Sequence, residues 1–351
     1  MTDTAEAAWA RIIPFLRPIE GLIRDPEISD ILVNGERGVF FEKQGRLIPL
    51  TGISISEKSL QVAARNIART LGDDISEESP LLDSRLPDGS RVAIALSPIS
   101  VGGTAVAIRK FQNKRYMAEE LVRIGTLPLA TLRLLQKAVL NREAILISGG
   151  TGTGKTTLLN ALAASIPDEE RIGIIEDTAE IQIDKSDWFR FEARKEQLDL
   201  GPVTIRQLLK HTLRMRPDRI LLGEVRGAEA FDLLNAMNTG HQGTLSTIHA
   251  NTAKATITRF ISYVMMAGIE LSYRSLRSNI ADAINLIVHI ERRNGNRYVD
   301  EILRIHGYDP VEDRYQLETI FQRPDLTGVE TANEHRTPNR QPTEFADGFS
   351  G

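Results

Sequence analysis

The stretch from Gly149 to Thr156 reads GGTGTGKT and is followed by Thr157. It matches the pattern GxxxxGK[ST], with the apolar run AILIS before it and the amphipathic run LLNALAASI after it. Glycines allow a backbone to wrap a phosphate chain, so that successive N–H groups and the N-terminus of the next helix point at that chain. The stretch therefore predicts a phosphate loop between a strand and a helix.

The predicted loop indicates a nucleotide site for ATP and Mg²⁺. Lys155 is expected to reach the β- and γ-phosphates, and the Thr156 hydroxyl to ligate Mg²⁺. A glycine-rich turn without a ligand is the alternative, but it gives no reason for the Lys-Thr pair at its end. The expected nucleotide-binding residues are Gly149, Gly150, Thr151, Gly152, Thr153, Gly154, Lys155, Thr156 and Thr157.

Two further apolar runs lead into carboxylates. RILLG precedes Glu224, which we expect to hold Mg²⁺, directly or through water, and to take part in catalysis. IGII precedes Glu176, with Glu180 four residues later, and either carboxylate could orient and polarise an attacking water. Solvated acidic loops are the alternative for both runs, and the choice of base between Glu176 and Glu180 stays open.

A third cluster contains two histidines on either side of a strand-like run. His249 should reach the same sheet edge as the loop, where a neutral imidazole can donate to a phosphate or orient water. His241 is equally compatible with a structural role. Zinc is not expected, because the two histidines are eight residues apart and the chain has no cysteine.

The order of the patterns predicts two folded parts. Residues 126–321 alternate strand-like and helix-like runs, which favours a parallel sheet with helices on both faces, and they end in strands around an Asn294-Gly295 turn. Residues 1–111 read as a smaller α+β domain, with a hairpin turn at Gln44-Gly45 and a helix over Glu57–Leu71. Residues 112–125 read as a linker, and residues 322–351 as a disordered polar tail.

Composition narrows the function classes. The 351 residues include 43 basic and 47 acidic ones, so no global field would draw the chain onto nucleic acid or an anionic bilayer. The lack of cysteine excludes disulfides and thiolate metal sites. No apolar run approaches the roughly 20 residues that cross a bilayer, and the first residues do not resemble a signal peptide, so we expect neither export nor membrane spanning.

Three motifs together resemble those of the bacterial traffic ATPases that serve secretion, conjugation and pilus assembly. EDTAEI is similar to their acidic box, LRMRPDRILLGEVRG to their Walker B region, and TGHQGTLSTIHANT to their histidine box. LPDGSRV and GTAVAIRKF resemble their N-terminal domain. Within the family, the chain is most similar to the TrbB-type conjugal transfer and CpaF-type pilus assembly ATPases.

The resemblance implies a RecA-like P-loop ATPase domain preceded by a smaller α+β N-terminal domain. It further implies a homohexamer with ATP between the two domains, Arg91 and Arg109 approaching the phosphates, and Arg214, Arg216 and Arg226 available to a neighbouring subunit. The expected partners are inner-membrane secretion, conjugation or pilus-assembly proteins. The expected location is cytoplasmic and peripheral at the inner membrane, without stable direct nucleic-acid binding.

Other functions remain open at this stage. A nucleic-acid-stimulated RecA-like helicase or translocase has a related core, although aromatic residues make up only 5% of the chain and offer little for base stacking. A small-molecule kinase would need an acceptor pocket and a lid. A nucleotide-gated scaffold would require the carboxylates to be dispensable.

Overall fold

The computed structural model describes residues 3–86, 88–111, 116–194, 196 and 200–324. It contains a six-stranded sheet followed along the chain by an eight-stranded sheet. The predicted linker begins at residues 112–115, and nearly all of the predicted tail lies at 325–351, both outside the described residues. The domain boundaries therefore stay a prediction. Within the described ranges, no helix has the length and apolar character needed to cross a membrane.

The first sheet is antiparallel throughout, in the order β3-β2-β1-β6-β5-β4. Alternate residues are buried, as Val92 and Ile94 are on β5, so one face packs against helix α3 while Arg91 lies on the other face. Its strands are β1 (Ile28–Asn34), β2 (Val39–Lys43), β3 (Arg46–Leu50), β4 (Leu81–Arg85), β5 (Arg91–Ala95) and β6 (Ala105–Arg109).

In the described part of the chain, three α-helices accompany this sheet. Helix α3 (Glu57–Leu71) covers the predicted range, and its N-cap Ser56 accepts from the Ser59 N–H. Helix α1 (Asp3–Ile12) and helix α2 (Glu20–Arg24) are separated by two short 3-10 turns that contain Pro14 and Pro18. The prolines thus interrupt the amphipathic opening segment, because proline cannot donate within a helix.

The second sheet runs in the order β14-β13-β12-β7-β11-β10-β8-β9, and its strands from β12 to β9 are parallel. Strands β7 and β8 are buried along their whole length, as expected for a parallel sheet covered on both faces. The strands are β7 (Ile145–Gly149), β8 (Ile172–Glu176), β9 (Trp188–Glu192), β10 (Arg219–Val225), β11 (Leu245–His249), β12 (Leu286–Arg293), β13 (Asn296–Asp309) and β14 (Arg314–Gln322).

Helices cover both faces of this sheet. One hydrophobic cluster joins it to α4, α5 and α6 through residues such as Leu121, Leu135 and Leu158, and another joins it to α7, α8, α9 and α10. The helices are α4 (Ala118–Arg123), α5 (Leu129–Leu140), α6 (Lys155–Ala163), α7 (Ile205–Thr212), α8 (Glu229–Asn238), α9 (Ala253–Met265) and α10 (Tyr273–Ala283). The α/β fold class predicted from the sequence is therefore confirmed.

Both predicted hairpin turns are present. Gln44 and Gly45 have φ of 50° and 78°, and Asn294 and Gly295 have φ of 52° and 81°. Consecutive left-handed residues at a two-residue connection favour this type of turn, and glycine adopts them without steric cost. Strands β4 and β9 were not predicted.

Candidate nucleotide site

The glycine-rich loop connects β7 to α6. A Cβ on Gly149 would lie 2.3 Å from the Ile290 carbonyl oxygen on the neighbouring strand β12, so a side chain has no room there. Gly152 and Gly154 have φ of 70° and 95°, in the region that favours glycine. The loop therefore turns sharply at the C-terminal edge of the sheet and leads into the N-terminus of a nine-residue helix.

Within the loop, the tip is exposed and the end is buried. Gly150, Thr151 and Gly152 are exposed, the Thr153 hydroxyl donates to the Gly150 carbonyl (3.0 Å), and Thr157 is half-buried in the first turn of α6. The first N–H groups of a helix have no acceptor within it, so they are available to a phosphate.

Lys155 is 7% exposed and points back into the loop. Its Nζ donates to the carbonyl oxygens of Gly149 (3.1 Å) and Gly150 (2.7 Å) and lies 3.4 Å from His249 Nδ1. Burial lowers the pKa of the Lys155 ammonium, and the Glu224 carboxylate opposes this effect. The loop thus surrounds a cation, which suits it to a phosphate chain.

Glu224 is the next-to-last residue of β10, and His249 is the last residue of the adjacent strand β11. Glu224 Oε1 lies 3.0 Å from His249 Nε2 without the geometry of a hydrogen bond, while Oε2 accepts from Arg226 Nη2 (2.9 Å). Burial lowers the pKa of the His249 imidazole, which favours the neutral ring. The buried Glu224 Oε1 and the Thr156 hydroxyl are oxygen ligands of the kind that Mg²⁺ prefers, so these two residues fit a Mg²⁺ site.

Glu176 lies at the end of β8 and is 2% exposed. Its Oε1 accepts from the N–H groups of Glu180 and Ile181, both at 2.7 Å, and Arg190 Nε lies 3.3 Å from Oε2. Burial raises the pKa of the Glu176 carboxyl to about 7, although the two N–H groups and Arg190 lower it in part. A Cβ on Gly223 would lie 3.1 Å from Glu176 Cγ, so the glycine before Glu224 gives this carboxyl its space.

Glu180, in contrast, has a side chain that is 41% exposed and lies beside the phosphate loop. Its Oε1 accepts from Arg91 Nη2 (3.0 Å), and its Oε2 lies 3.5 Å from the Thr156 hydroxyl. The Asn160 side chain donates to the Glu180 carbonyl (3.3 Å). The structure thus brings a carboxylate, the loop and an arginine of the first sheet together.

Three other residues singled out from the sequence are Arg109, Arg226 and His241. Arg109 is paired in register with Arg91, and its side chain is 52% exposed and bound to Asp30 (3.1 Å). Arg226 pairs with Asp177 (2.6 Å) as well as Glu224 within its own chain. His241 precedes β11 and lies at the opposite end of that strand from the loop, so the structure does not bring it into the site.

The sequence reading missed several arginines that contact the site. Arg297 Nε donates to the Gly152 carbonyl (2.9 Å) from the start of β13, and Arg190 reaches Glu176 from β9. Arg292, the next-to-last residue of β12, binds Glu42 of the first sheet (3.2 Å) and the Gly45 carbonyl of the β2–β3 turn. The basic residues flanking the Asn294-Gly295 turn were the available signal.

A phosphate loop at the C-terminal edge of a largely parallel sheet, with carboxylates on the neighbouring strands, defines a P-loop nucleotide-binding protein. Residues 16–311 match the family described as Type II/IV secretion system protein, and the chain belongs to this family.

Individual relatives agree with this assignment. The chain is 35% identical over 302 residues to the conjugal transfer protein TrbB of Rhizobium radiobacter, covering 85% of this chain and 89% of that protein. It is 31% identical over 341 residues to the type IV secretion system protein VirB11 of Bartonella quintana, covering 87% and 95%. The X-ray structure of the Legionella pneumophila ATPase DotB, 20% identical, shares the fold with a TM-score of 0.56 and covers 88% of this chain and 80% of that one.

Proposed function

We propose that this protein is a Mg²⁺-dependent ATPase that energises type IV secretion or conjugal DNA transfer. The observation that carries the proposal is Glu180, held between Thr156 of the phosphate loop and Arg91 of the first sheet. Membership of the secretion family and the names of the TrbB and VirB11 relatives support the secretion or conjugation role.

Each residue of the site has a chemical task in this proposal. Lys155 and the N–H groups of the loop bind the phosphates of ATP, and Thr156 and Glu224 hold Mg²⁺, which neutralises phosphate charge when bound. Glu180 orients the attacking water and accepts its proton. Arg91 and Arg109 offset the negative charge that develops during phosphoryl transfer.

The choice between the two candidate bases follows from their surroundings. Glu176 Oε1 already accepts two backbone N–H groups, and breaking these bonds would leave buried donors unsatisfied at about 1–3 kcal/mol each. Glu180 is 41% exposed, and its carboxylate contacts the side chains of Arg91 and Thr156 but accepts no N–H group from the described backbone. We therefore assign the base to Glu180 and a supporting role to Glu176, whose carboxyl fixes the backbone of Glu180 itself.

The wider setting is part of the same proposal. We infer a homohexameric, cytoplasmic protein that works at the inner membrane beside integral secretion or conjugation proteins, as the resemblance of its motifs to the traffic ATPases implies. An analogous role in pilus assembly would use the same ATPase chemistry.

The test is steady-state phosphate release by the purified protein, with oligomer mass measured by light scattering. Glu180→Gln should lower kcat by about 10²–10⁴-fold with ATP affinity unchanged, because a general base contributes about that much. Glu169→Gln, an exposed carboxylate on the loop after α6, is the matched control and should leave kcat unchanged. Chelating Mg²⁺ should abolish turnover, and adding it back should restore it.

Two results would reject the proposal. One is a wild-type protein that binds ATP without hydrolysing it, which would favour a nucleotide-gated scaffold. The other is equal turnover in Glu180→Gln and the Glu169→Gln control, which would remove the assigned base.

A further inference from the structure

A row of charged residues crosses the first sheet on the face opposite α3. Strand pairing aligns Glu42 with Asp30, Asp30 with Arg109, Arg109 with Arg91, and Arg91 with Arg85. Residues directly opposite each other on neighbouring strands lie on the same face of the sheet. We call these five residues the charged row.

Most of the charged row is bound to the second sheet and its loops. Arg91 binds Glu180, which belongs to the proposed catalytic site. At one end of the row Arg85 binds Glu192, the last residue of β9. At the other end Glu42 binds Arg292 (3.2 Å), the same arginine that donates to the Gly45 carbonyl.

The charged row faces residues of opposite charge on the second sheet and its loops. Arg85, Arg91 and Arg109 stand on three adjacent strands, and like charges directly opposite each other destabilise a sheet. Carboxylates compensate them: Glu192 and Glu180 belong to the second sheet and its loops, and Asp30 belongs to the row itself. Glu42, at the acidic end of the row, pairs instead with the Arg292 guanidinium. The face of the first sheet is therefore electrostatically complementary to the surface that it covers.

The two end contacts are far apart. With neighbouring strands about 4.8 Å from each other, the four steps from Glu42 to Arg85 span roughly 19 Å. A sheet held at two points this far apart can neither slide nor rotate about a single contact. Arg91 and Arg109 lie between the two points.

One end contact also reaches the phosphate loop. A Cβ on Gly152 would lie 3.3 Å from Arg292 Nη1, and a Cβ on Gly45 would lie 2.9 Å from Arg292 Nη2. The side chains of Arg292 and Glu42 are 24% and 23% exposed, so the pair is partly shielded from water. Arg292 therefore joins the β2–β3 turn of the first sheet to the tip of the loop.

We propose that Glu42–Arg292 and Arg85–Glu192 are positioning pairs, which hold the first sheet in place so that Arg91 and Arg109 meet the phosphates of bound nucleotide. This inference rests on the proposed ATPase function. Arg109 is bound within the first sheet to Asp30 and is half exposed, so it is the row member with the most freedom to turn toward a phosphate.

Charge reversal tests the Glu42–Arg292 pair. Arg292→Glu and Glu42→Arg should each place like charges together and lower kcat by about tenfold or more, because a small displacement of a catalytic group is costly. The double variant, Glu42→Arg with Arg292→Glu, should recover a measurable part of the lost kcat, because it restores the charge pair but not the hydrogen bond to the Gly45 carbonyl. The matched control is Arg293→Glu, since Arg293 binds Glu291 and Asp300 of its own hairpin, and it should change kcat by less than about twofold.

A second readout does not depend on hydrolysis. A Cβ on Gly45 would lie 3.2 Å from the Gly295 carbonyl oxygen, so the two hairpin turns lie side by side. The chain has no cysteine, so Gln44→Cys and Asn294→Cys together place one thiol on each of these turns. A short bismaleimide should cross-link the two cysteines in the otherwise wild-type chain. The cross-linked fraction should fall in the Arg292→Glu variant and should rise again in the double reversal.

The outcomes separate the two proposals. Cross-linking that follows this pattern without any ATP turnover would reject the ATPase function while supporting the contact. Turnover with no rescue in the double reversal, or equal damage from Arg293→Glu, would overturn the positioning pair.

Discussion

Glu176→Gln tests whether the buried carboxyl at the end of β8 titrates as its surroundings require. Burial raises the pKa of Glu176 from 4.5 to about 7 in the folded protein. The folded state therefore binds the proton more tightly than the unfolded state does. Stability that is present below pH 4.5 is lost as pH rises toward 7, because the unfolded chain can ionise Glu176 at a lower free-energy cost.

The magnitude follows from this difference. One pKa unit corresponds to about 1.4 kcal/mol. A pKa raised from 4.5 to about 7 therefore changes the free energy of unfolding by about 3 kcal/mol, and most of this change falls between pH 5 and 8. Glutamine is nearly the same shape, keeps an oxygen for the N–H groups of Glu180 and Ile181, and does not titrate. The variant should therefore gain stability relative to wild type as pH rises, by about this amount.

Urea unfolding at pH 5, 6, 7 and 8 provides the measurement. The chain has two tryptophans, Trp9 near the first sheet and Trp188 on β9. A Trp9→Phe background makes the fluorescence of Trp188 report the second sheet, which contains Glu176. Other titrating groups cancel when the two proteins are compared at each pH. A stability difference that is flat across pH, or that grows toward acid, would refute the reasoning.

Two further substitutions test the packing behind the site. Glu170→Gln should lower the free energy of unfolding, measured with urea, by about 3–5 kcal/mol, because it removes the carboxylate that pairs with the fully buried Arg219 guanidinium. A loss below about 1 kcal/mol would show that the stability of the fold does not depend on this charge pair. Gly223→Ala would put a Cβ 3.1 Å from Glu176 Cγ and displace this carboxyl, so we expect kcat to fall roughly tenfold in a phosphate-release assay. Nucleotide affinity, measured by titration with a fluorescent nucleotide, should stay unchanged. An unchanged kcat would contradict the supporting role of Glu176.

The sequence predicted those parts of the molecule whose chemistry lies in one contiguous stretch. The phosphate loop needs its glycines, Lys155 and Thr156 next to each other, so the pattern is visible without a fold. The same holds for the turns at Gln44-Gly45 and Asn294-Gly295, where two adjacent residues determine the backbone.

Contacts between residues far apart in the sequence could not be predicted from such local patterns. Strand β9 (Trp188–Glu192) is short and lies at the sheet edge, and its pairing with β8 is what brings Arg190 to Glu176. The charged row depends on strand register, and a shift of one residue in a strand would turn its members to the other face. Nothing in the sequence near Arg292 indicates a contact with Glu42, 250 positions away.

The connections around Glu180 explain why its two carboxylate oxygens have different surroundings. Its backbone is fixed from the second sheet, because Glu176 accepts its N–H, and its Oε2 lies near the phosphate loop at Thr156. Its Oε1 is held by Arg91, which belongs to the first sheet. Under the proposed function, the position of the Glu180 carboxylate therefore depends on where the first sheet stands, and this dependence links hydrolysis to movement of the first sheet.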